Sequence, residues 1–308
     1  MNIRSILAVT DFSLPASRAI ERAAQLAVEH NAVLKLMVLP ANGGPPPANG
    51  ASHLAHAAKD LGQRFGITVR AVAQIANTPA HVAEEASCAD LLVLAHRRER
   101  TLAALLQGQP TERLARLCRC PVLVTKTAPR QSYERILVAV DFTPASKKLV
   151  QLAWLMDSNA EVELFHAISM LNEAKLRAAE ASQHAIKAYR HECMRHARDR
   201  IFWLTDSFDT RRNRVLSAIG YGDPARQAVV QQDHVGADLL VVGKRRSSPI
   251  ADFVFGSVAQ RVLCWATSDV LVVPDDFQLS TRAAARHRID AERADAKGAF
   301  APARRSTT

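Results

Sequence analysis

The feature that most constrains the fold of this 308-residue chain is an internal repeat. Several short, largely apolar blocks in the first half return in the same order in the second half, as expected for duplicated domains. The paired blocks are 6–13 with 136–143, 31–36 with 159–164, 89–94 with 237–242, and 122–124 with 270–273. This shared order indicates a duplication, so the sequence predicts two domains of the same kind.

Each half alternates short apolar runs rich in β-branched residues with longer runs of helical periodicity. Near-continuous apolar runs, such as Leu91 to Ala95, are typical of parallel strands buried on both faces. Five strands joined by right-handed crossovers predict a doubly wound α/β sheet in each half, with strand order 2-1-3-4-5 or 3-2-1-4-5. In the first half we predict strands at 3–10, 33–39, 67–74, 90–95 and 121–125, with helices at about 15–30, 51–65, 79–88 and 108–119.

The domain boundaries follow from the repeat and from a change in composition near the end of the chain. We place the first domain at residues 1–127 and the second at 133–275, with a short linker between them. In the second domain one crossover is longer and predicts a single helix at about 172–205. The segment 279–308 is rich in Ala and Arg and poor in large apolar side chains, so we expect a basic, disordered tail.

Composition narrows the class of protein. No apolar run approaches the roughly 18–20 residues needed to cross a bilayer, and the N-terminus lacks a signal-peptide pattern, so we expect a cytoplasmic protein without a membrane partner. The net charge of +10 is partly local to the tail, and aromatic residues make up only 5% of the chain, which disfavours specific nucleic-acid binding. The five cysteines show no C-x-x-C spacing, so we expect reduced thiols without a metal site.

A candidate anion site follows the fourth apolar run of the second domain. Gly243 ends that run, and Gly256 with Ser257 stands where the next helix should begin. Glycine lets the backbone approach a ligand closely, and the unpaired N–H groups of a helix N-terminus bind phosphate. Arg245 and Arg246 would add charge that pairs with phosphate oxygens.

Asp141 follows the first strand of the same domain. In the order 3-2-1-4-5, strands one and four are neighbours, so Asp141 and Gly243 would face one crevice beyond their carboxyl ends. The carboxylate of Asp141 could accept hydrogen bonds from a base or a ribose, or it could cap the first helix of the domain. The two roles are compatible, and the sequence leaves both open.

The first domain carries a damaged copy of this pattern. Ala95 stands at the position of Gly243, Arg98 at that of Arg246, and Gln109 follows Gly108 where a hydroxyl residue would be expected. Asp11 and Gly108 are the parts that remain. We therefore expect weak nucleotide binding or none in the first domain.

With these motifs, the chain resembles a tandem universal stress protein, and the resemblance covers residues 1–127 and 133–275. The ATP-binding subgroup of that family has a glycine, two residues, a second glycine, nine residues, and then Gly-Ser or Gly-Thr. Gly243 and the pair Gly256-Ser257 fit this spacing, whereas Arg246 replaces the second glycine. If that position needs a left-handed backbone, the side chain costs on the order of 1–2 kcal/mol.

The resemblance implies the strand order 3-2-1-4-5 and a nucleotide, ATP, which could bind with or without Mg²⁺. It also implies that the last strands of the two domains, 122–125 and 270–273, pair within one chain as an intramolecular pseudo-dimer. The nucleotide contacts it predicts are Asp141, Val242, Gly243, Arg245, Arg246, Gly256, Ser257 and Val258.

The leading functional hypothesis is a cytoplasmic stress-response protein that binds an adenine nucleotide through its second domain. We expect a sensing or regulatory role, because the sequence contains no nucleophile–base pair, zinc-protease motif or Walker lysine, and any ATP hydrolysis would be slow and incidental. The alternative is a nucleotide-independent interaction protein with vestigial sites in both domains, which Arg98, Gln109 and Arg246 favour.

Overall fold

The computed structural model describes residues 2–40, 49–96, 110–129, 132–206, 215–244 and 257–277. Within these residues the predicted α/β class is confirmed, since the strands of both halves alternate with helices. The first half contains β1 (Ser5–Thr10), α1 (Leu14–His30), β2 (Val33–Val38), α2 (Gly50–Phe65), β3 (Val69–Ala71), α3 (Pro79–Ala86), β4 (Leu91–Ala95), α4 (Pro110–Leu117) and β5 (Val122–Thr125). The second half contains β6 (Arg135–Ala139), α5 (Ser146–Met156), β7 (Glu161–Ile168), α6 (Leu171–Ala178), α7 (Gln183–Asp206), β8 (Val215–Tyr221), α8 (Pro224–Val235), β9 (Leu239–Lys244), α9 (Ser257–Trp265) and β10 (Asp269–Pro274).

The strands form a single ten-stranded sheet in the order β3-β2-β1-β4-β5-β10-β9-β6-β7-β8. Each half therefore has the predicted order 3-2-1-4-5, with parallel neighbours throughout. Between the halves, β5 and β10 pair antiparallel, with Leu123 opposite Leu271. The predicted pairing of the two last strands within one chain is thus present, and it covers two edges that would otherwise present unpaired backbone groups.

An aspartate at the start of the fourth strand fixes the first strand in each domain. Asp90 accepts hydrogen bonds from the backbone N–H groups of Arg4 (3.0 Å) and Ser5 (3.1 Å). Asp238 occupies the same place in the repeat and accepts from Glu134 (2.8 Å) and Arg135 (3.2 Å). Because this contact sets strand one against strand four, it also sets where their carboxyl ends lie.

The single long helix predicted at about 172–205 is wrong, because the chain forms α6 and α7 with a break between them. Glu180 in the break has a left-handed backbone (φ 57°). The hydroxyl of Ser182 then accepts a hydrogen bond from the N–H of Ala185 (3.2 Å) and so begins α7 as a side-chain cap. The helical pattern of this stretch gives no sign of the break, because a local cap creates it.

Three further expectations from the sequence concern membrane-spanning helices, the cysteines and the C-terminal tail. None of the helices in the described ranges is long and apolar enough to cross a membrane. All five cysteines lie in the described ranges, and none forms a disulfide. The predicted disordered tail at 279–308 lies outside the described residues.

Candidate functional site

The topology brings the carboxyl ends of β6 and β9 together, as the sequence predicted. These strands are parallel neighbours, with Ala139 opposite Val242. Asp141, two residues beyond β6, and Gly243, next to Val242, therefore lie at the same edge of the sheet. Val242 itself is buried within β9.

Asp141 holds the turn that leads from β6 into α5. Its Oδ1 accepts hydrogen bonds from the backbone N–H of Thr143 (3.1 Å), the hydroxyl of Thr143 (2.6 Å) and the hydroxyl of Ser146 (3.1 Å). Ser146 is the buried first residue of α5. The structure thus supports the interpretation that Asp141 stabilises the start of the helix, acting through these two hydroxyl residues.

The residue after Asp141 is held in an uncommon conformation. Phe142 has a left-handed backbone (φ 60°), which costs on the order of 1–2 kcal/mol for a residue with a large side chain. Arg200 of α7 donates a hydrogen bond to the carbonyl of Phe142 (2.7 Å). On the other side, the ring of Phe142 lies 4.2 Å from the imidazole of His166, measured between ring centroids. These contacts help to offset the strain in the turn.

His166 ties β7 to the same turn. Its Nδ1–H donates a hydrogen bond to the carbonyl of Val140 (2.8 Å). Burial lowers the pKa of His166, and His196 acts in the same direction, whereas the Val140 hydrogen bond and the Asp141 carboxylate raise it; the net direction is downward. A lowered pKa keeps the imidazole neutral at neutral pH, so it can pack against the ring of Phe142.

Among the residues that the structure describes, neither packing nor backbone conformation requires a glycine at position 243. A Cβ added to Gly243 would meet Leu149 Cδ1 at 3.5 Å and Asp275 Oδ1 at 3.8 Å, both ordinary van der Waals contacts. The residue is part of β9 and pairs with Val273, without the positive φ that would require glycine. A Cβ would therefore fit at this position, and glycine leaves the volume of one Cβ unfilled beside Leu149 and Asp275.

The sequence reasoning passed over Lys244, the residue that follows this glycine. Its side chain is buried, and Nζ donates hydrogen bonds to the carbonyls of Ala115 (2.9 Å), Cys118 (3.3 Å) and Arg116. These carbonyls belong to the last turn and end of α4, in the other domain. A lysine at the end of an otherwise apolar buried strand was the signal that could have drawn attention to it.

The helix that follows the candidate phosphate segment is fixed within its own domain by an ion pair. Arg261 of α9 lies 2.7 Å from Asp223 Oδ2, and Asp223 also caps α8 by accepting from the N–H of Arg226 (3.0 Å). Burial raises the pKa of Asp223, but the hydrogen bonds from Arg226 and Arg261 outweigh it and lower the pKa overall. Asp223 therefore remains a carboxylate and joins the start of α8 to the middle of α9.

Four of the predicted contacts cannot be placed fully. Arg245, Arg246 and Gly256 lie outside the described residues. Ser257 is the first residue of α9, and its side chain lies outside the described part of the chain. Val258 is half-buried in the first turn of α9. The ligand contacts of all these residues stay predictions.

The first domain repeats the turn but not the strand end. Asp11 Oδ1 accepts a hydrogen bond from the N–H of Ser13 (2.9 Å), and Phe12 again has a left-handed backbone (φ 64°). The fourth strand, β4, ends at Ala95. The other altered positions, Arg98, Gly108 and Gln109, lie outside the described residues. Among the described side chains of both domains, no group of three or more His, Cys, Asp or Glu residues is arranged to hold a metal ion.

The chain is similar to known proteins over nearly its whole length. The model of the universal stress protein family matches residues 2–126 and, a second time, residues 132–274. Comparison with curated proteins gave no match.

Three solved structures share the fold at low sequence identity. A protein of unknown function from Pseudomonas aeruginosa PAO1 is 21% identical, over 94% of this chain and 98% of its own, with a TM-score of 0.61. A protein named as a universal stress protein from Pseudomonas aeruginosa UCBPP-PA14 is also 21% identical, with the same coverage and a TM-score of 0.63. A universal stress protein from Archaeoglobus fulgidus DSM 4304 is 15% identical, over 88% of this chain and 96% of its own, with a TM-score of 0.56. Because the family model matches most of both halves, this chain belongs to the universal stress protein family and carries the family's domain twice.

Proposed function

We propose that this protein binds an adenine nucleotide, ATP, through its second domain and acts as a cytoplasmic sensor or regulator in a stress response. The observation that carries the proposal is Gly243. A glycine that none of its described neighbours requires stands at the carboxyl end of β9, next to β6, the strand that Asp141 follows. In doubly wound sheets this is where ligands bind.

The residues around this strand end fit the parts of a nucleotide. The start of α9 offers backbone N–H groups that suit a phosphate, and Gly256 and Ser257 are the residues we assign to that contact. Arg245 and Arg246 would add positive charge, while Val242 and Val258 flank the two ends of the segment. Asp141 is assigned to the nucleoside, and Mg²⁺, when bound with ATP, would neutralise charge on the phosphates.

A binding role accounts for Asp141 better than a catalytic one. Its Oδ1 already accepts three hydrogen bonds that hold the turn into α5. A carboxylate engaged in this way is suited to fixing geometry, whereas a general base must be within reach of a substrate proton.

Titration calorimetry of the full chain with ATP, ADP, AMP and cAMP, with and without Mg²⁺, tests the proposal. We expect saturable binding of one nucleotide per chain. Gly243→Ala should weaken binding by about tenfold or more, equivalent to about 1.4 kcal/mol, with little change in melting temperature because the added Cβ fits the protein.

The matched control is Ala95→Gly, the equivalent position in the first domain, which should change neither affinity nor stoichiometry. No saturable binding by the unmodified chain would contradict the proposal, and so would a Gly243→Ala variant that binds as tightly as the parent.

The competing hypothesis is an interaction protein that works without a nucleotide. The internal hydrogen bonds of Asp141 favour it, since they give this residue a structural role that needs no ligand. A chain that binds none of the four nucleotides, yet retains a reproducible protein partner, would support this alternative.

A further inference from the structure

Both ends of the predicted phosphate-binding segment are attached to one helix of the other domain. In the sequence, residues 245–256 connect Lys244 at the end of β9 to Ser257 at the start of α9. Lys244 contacts the carboxyl end of α4, and α9 contacts a carboxylate in the first turn of α4. Helix α4 belongs to the first domain, whose own strand end carries Ala95.

The first attachment is the buried ammonium of Lys244. The side chain is only 6% exposed, and it donates to the carbonyls of Ala115 (2.9 Å), Cys118 (3.3 Å) and Arg116. Carbonyls at a helix C-terminus lack intrahelical partners and carry partial negative charge, so they suit a cation. The ammonium is thus directed into α4 and does not extend beyond the strand end toward a ligand.

The second attachment is the carboxylate of Glu112, which is 8% exposed. It accepts a hydrogen bond from the side-chain amide of Gln260 (3.1 Å) and one from the thiol of Cys264 (3.0 Å). Gln260 and Cys264 are four residues apart on α9 and therefore lie on one face of that helix. One buried carboxylate in α4 thus holds that face of α9.

A related contact elsewhere in the interface offers a control. Lys126, which follows β5 in the first domain, donates to the carbonyls of Leu263 (2.6 Å) and Ala266 (2.6 Å) at the carboxyl end of α9. It is the same kind of interdomain helix cap as Lys244. In the sequence, however, Lys126 is not adjacent to either end of the phosphate segment.

We propose that α4 supports the nucleotide site of the second domain by setting the spacing between Gly243 and the start of α9. Lys244 and Glu112 are then positioning residues, which affect the ligand through the backbone they hold. The inference rests on the proposed nucleotide binding. It gives the first domain a part in that binding, although its own strand end has lost the glycine.

The test compares two lysine variants of the full chain, Lys244→Met and Lys126→Met, by ATP titration and thermal denaturation. Both remove an interdomain helix cap, so both should lower the melting temperature. We expect Lys244→Met to weaken ATP binding by about tenfold or more and Lys126→Met by less than about threefold, where tenfold corresponds to 1.4 kcal/mol. Equal effects of the two variants on affinity would overturn the inference.

Two further measurements distinguish a positioning role of Lys244 from a direct contact between Lys244 and the nucleotide. Glu112→Leu, a change within the first domain, should weaken ATP binding at least threefold. The salt dependence of the dissociation constant should be parallel in Lys244→Met and the parent, because the ammonium does not touch phosphate. A flatter salt dependence in Lys244→Met would show a direct charge contact and contradict the inference.

Hydrogen exchange of the unmodified chain tests the same coupling without any substitution. Coupling between two places in a protein is reciprocal, so saturating ATP should slow amide exchange in residues 110–117 of α4. Unchanged exchange in α4, in a chain that binds one ATP, would refute the supporting role while leaving nucleotide binding intact. Absence of ATP binding in the unmodified chain would instead refute the proposed function and this inference together.

Discussion

The two domains share the turn after their first strand but differ where their fourth strand ends. Phe12 and Phe142 both have a left-handed backbone, with φ of 64° and 60°. At the end of the fourth strand, Ala95 in one domain corresponds to Gly243 in the other. A strained turn kept in both copies indicates that it belongs to the framework, whereas the difference at the strand end is specific to one domain.

This comparison separates residues that build the fold from residues that are available for function. The first domain shows that the strand can end in alanine, and the space around Gly243 would accept a Cβ. Packing against the described part of the chain therefore does not require glycine at position 243. Two nearby positions also differ between the domains, because His166 and Lys244 occupy places where the first domain has Val38 and His96.

The fifth strands of the two domains, β5 and β10, differ as well. From this difference we predict the largest change in the free energy of unfolding. Asp269 begins β10 where the first domain has Pro121, and it is only 1% exposed. It accepts hydrogen bonds from the backbone N–H groups of Lys126 (2.8 Å) and Thr127 (3.1 Å) and from the buried hydroxyl of Tyr133 (3.0 Å). This carboxylate therefore links the end of the first domain to the second domain.

Asp269→Leu should lower the free energy of unfolding by about 3 kcal/mol, because it leaves several buried donors without partners at about 1–3 kcal/mol each. Burial and the Asp269 carboxylate raise the pKa of Tyr133, so its hydroxyl is protonated at neutral pH and donates. Urea denaturation measures the change. Asp238→Ala, which removes the more exposed contacts at the start of β9, is the control and should cost about 1 kcal/mol.

A loss below about 1 kcal/mol for Asp269→Leu would mean that the second domain does not depend on its extra carboxylate. The two fifth strands would then be equivalent in energy despite their different first residues.

For His166 of the second domain we predict a smaller effect, on the pH dependence of the free energy of unfolding. Burial lowers the pKa of His166 below its usual 6.5. The unfolded chain therefore takes up this proton first, and stability should fall as the pH drops from about 7.5 through 6.5 toward 5.5. Above that window the imidazole is neutral in both states and the contribution is fully present.

His166→Val introduces the residue that the first domain has at Val38, and it should flatten this part of the stability–pH curve. The pKa of His30 is also lowered by burial, so a residual slope should remain. Glu29, whose pKa is raised by burial and by Asp157, contributes in the opposite direction. Because these two groups are present in both proteins, the difference between the curves isolates His166, and parallel curves would contradict the prediction.

The sequence predicted the fold well because the repeat reports the same information twice. The strands follow from apolar runs such as Leu91 to Ala95 and from their recurrence, whereas the order 3-2-1-4-5 and the β5–β10 pairing were implied by the resemblance to the universal stress protein family. The break at Glu180 was missed because it depends on one left-handed residue and a local cap at Ser182. Such features change the periodicity of a long amphipathic stretch very little.

The candidate site was predicted only in part, for a different physical reason. Asp141 and Gly243 were brought together correctly, because topology alone places the carboxyl ends of β6 and β9 side by side. The contacts of Lys244 and Glu112 were missed, since they join residues of different domains. Motif spacing carries no information about which helix lies across an interface.

The smallest effect that we predict concerns the turn after β6, which receives an additional hydrogen bond from α7. Arg200 of α7 donates to the carbonyl of Phe142 (2.7 Å), whereas the ring of Phe12 in the first domain has an edge contact with His53, with ring centroids 5.9 Å apart. The Arg200 side chain is exposed, so its hydrogen bond is screened by water. Arg200→Ala should therefore lower the free energy of unfolding by only about 0.5–1 kcal/mol.

Arg198→Ala, on an exposed position of the same helix, controls for helix propensity and for charge, and both variants are compared by urea denaturation. Equal losses for the two would show that the turn after β6 is held by Asp141 and His166 without the hydrogen bond from α7, just as the turn after β1 is formed with a ring contact from His53 of α2.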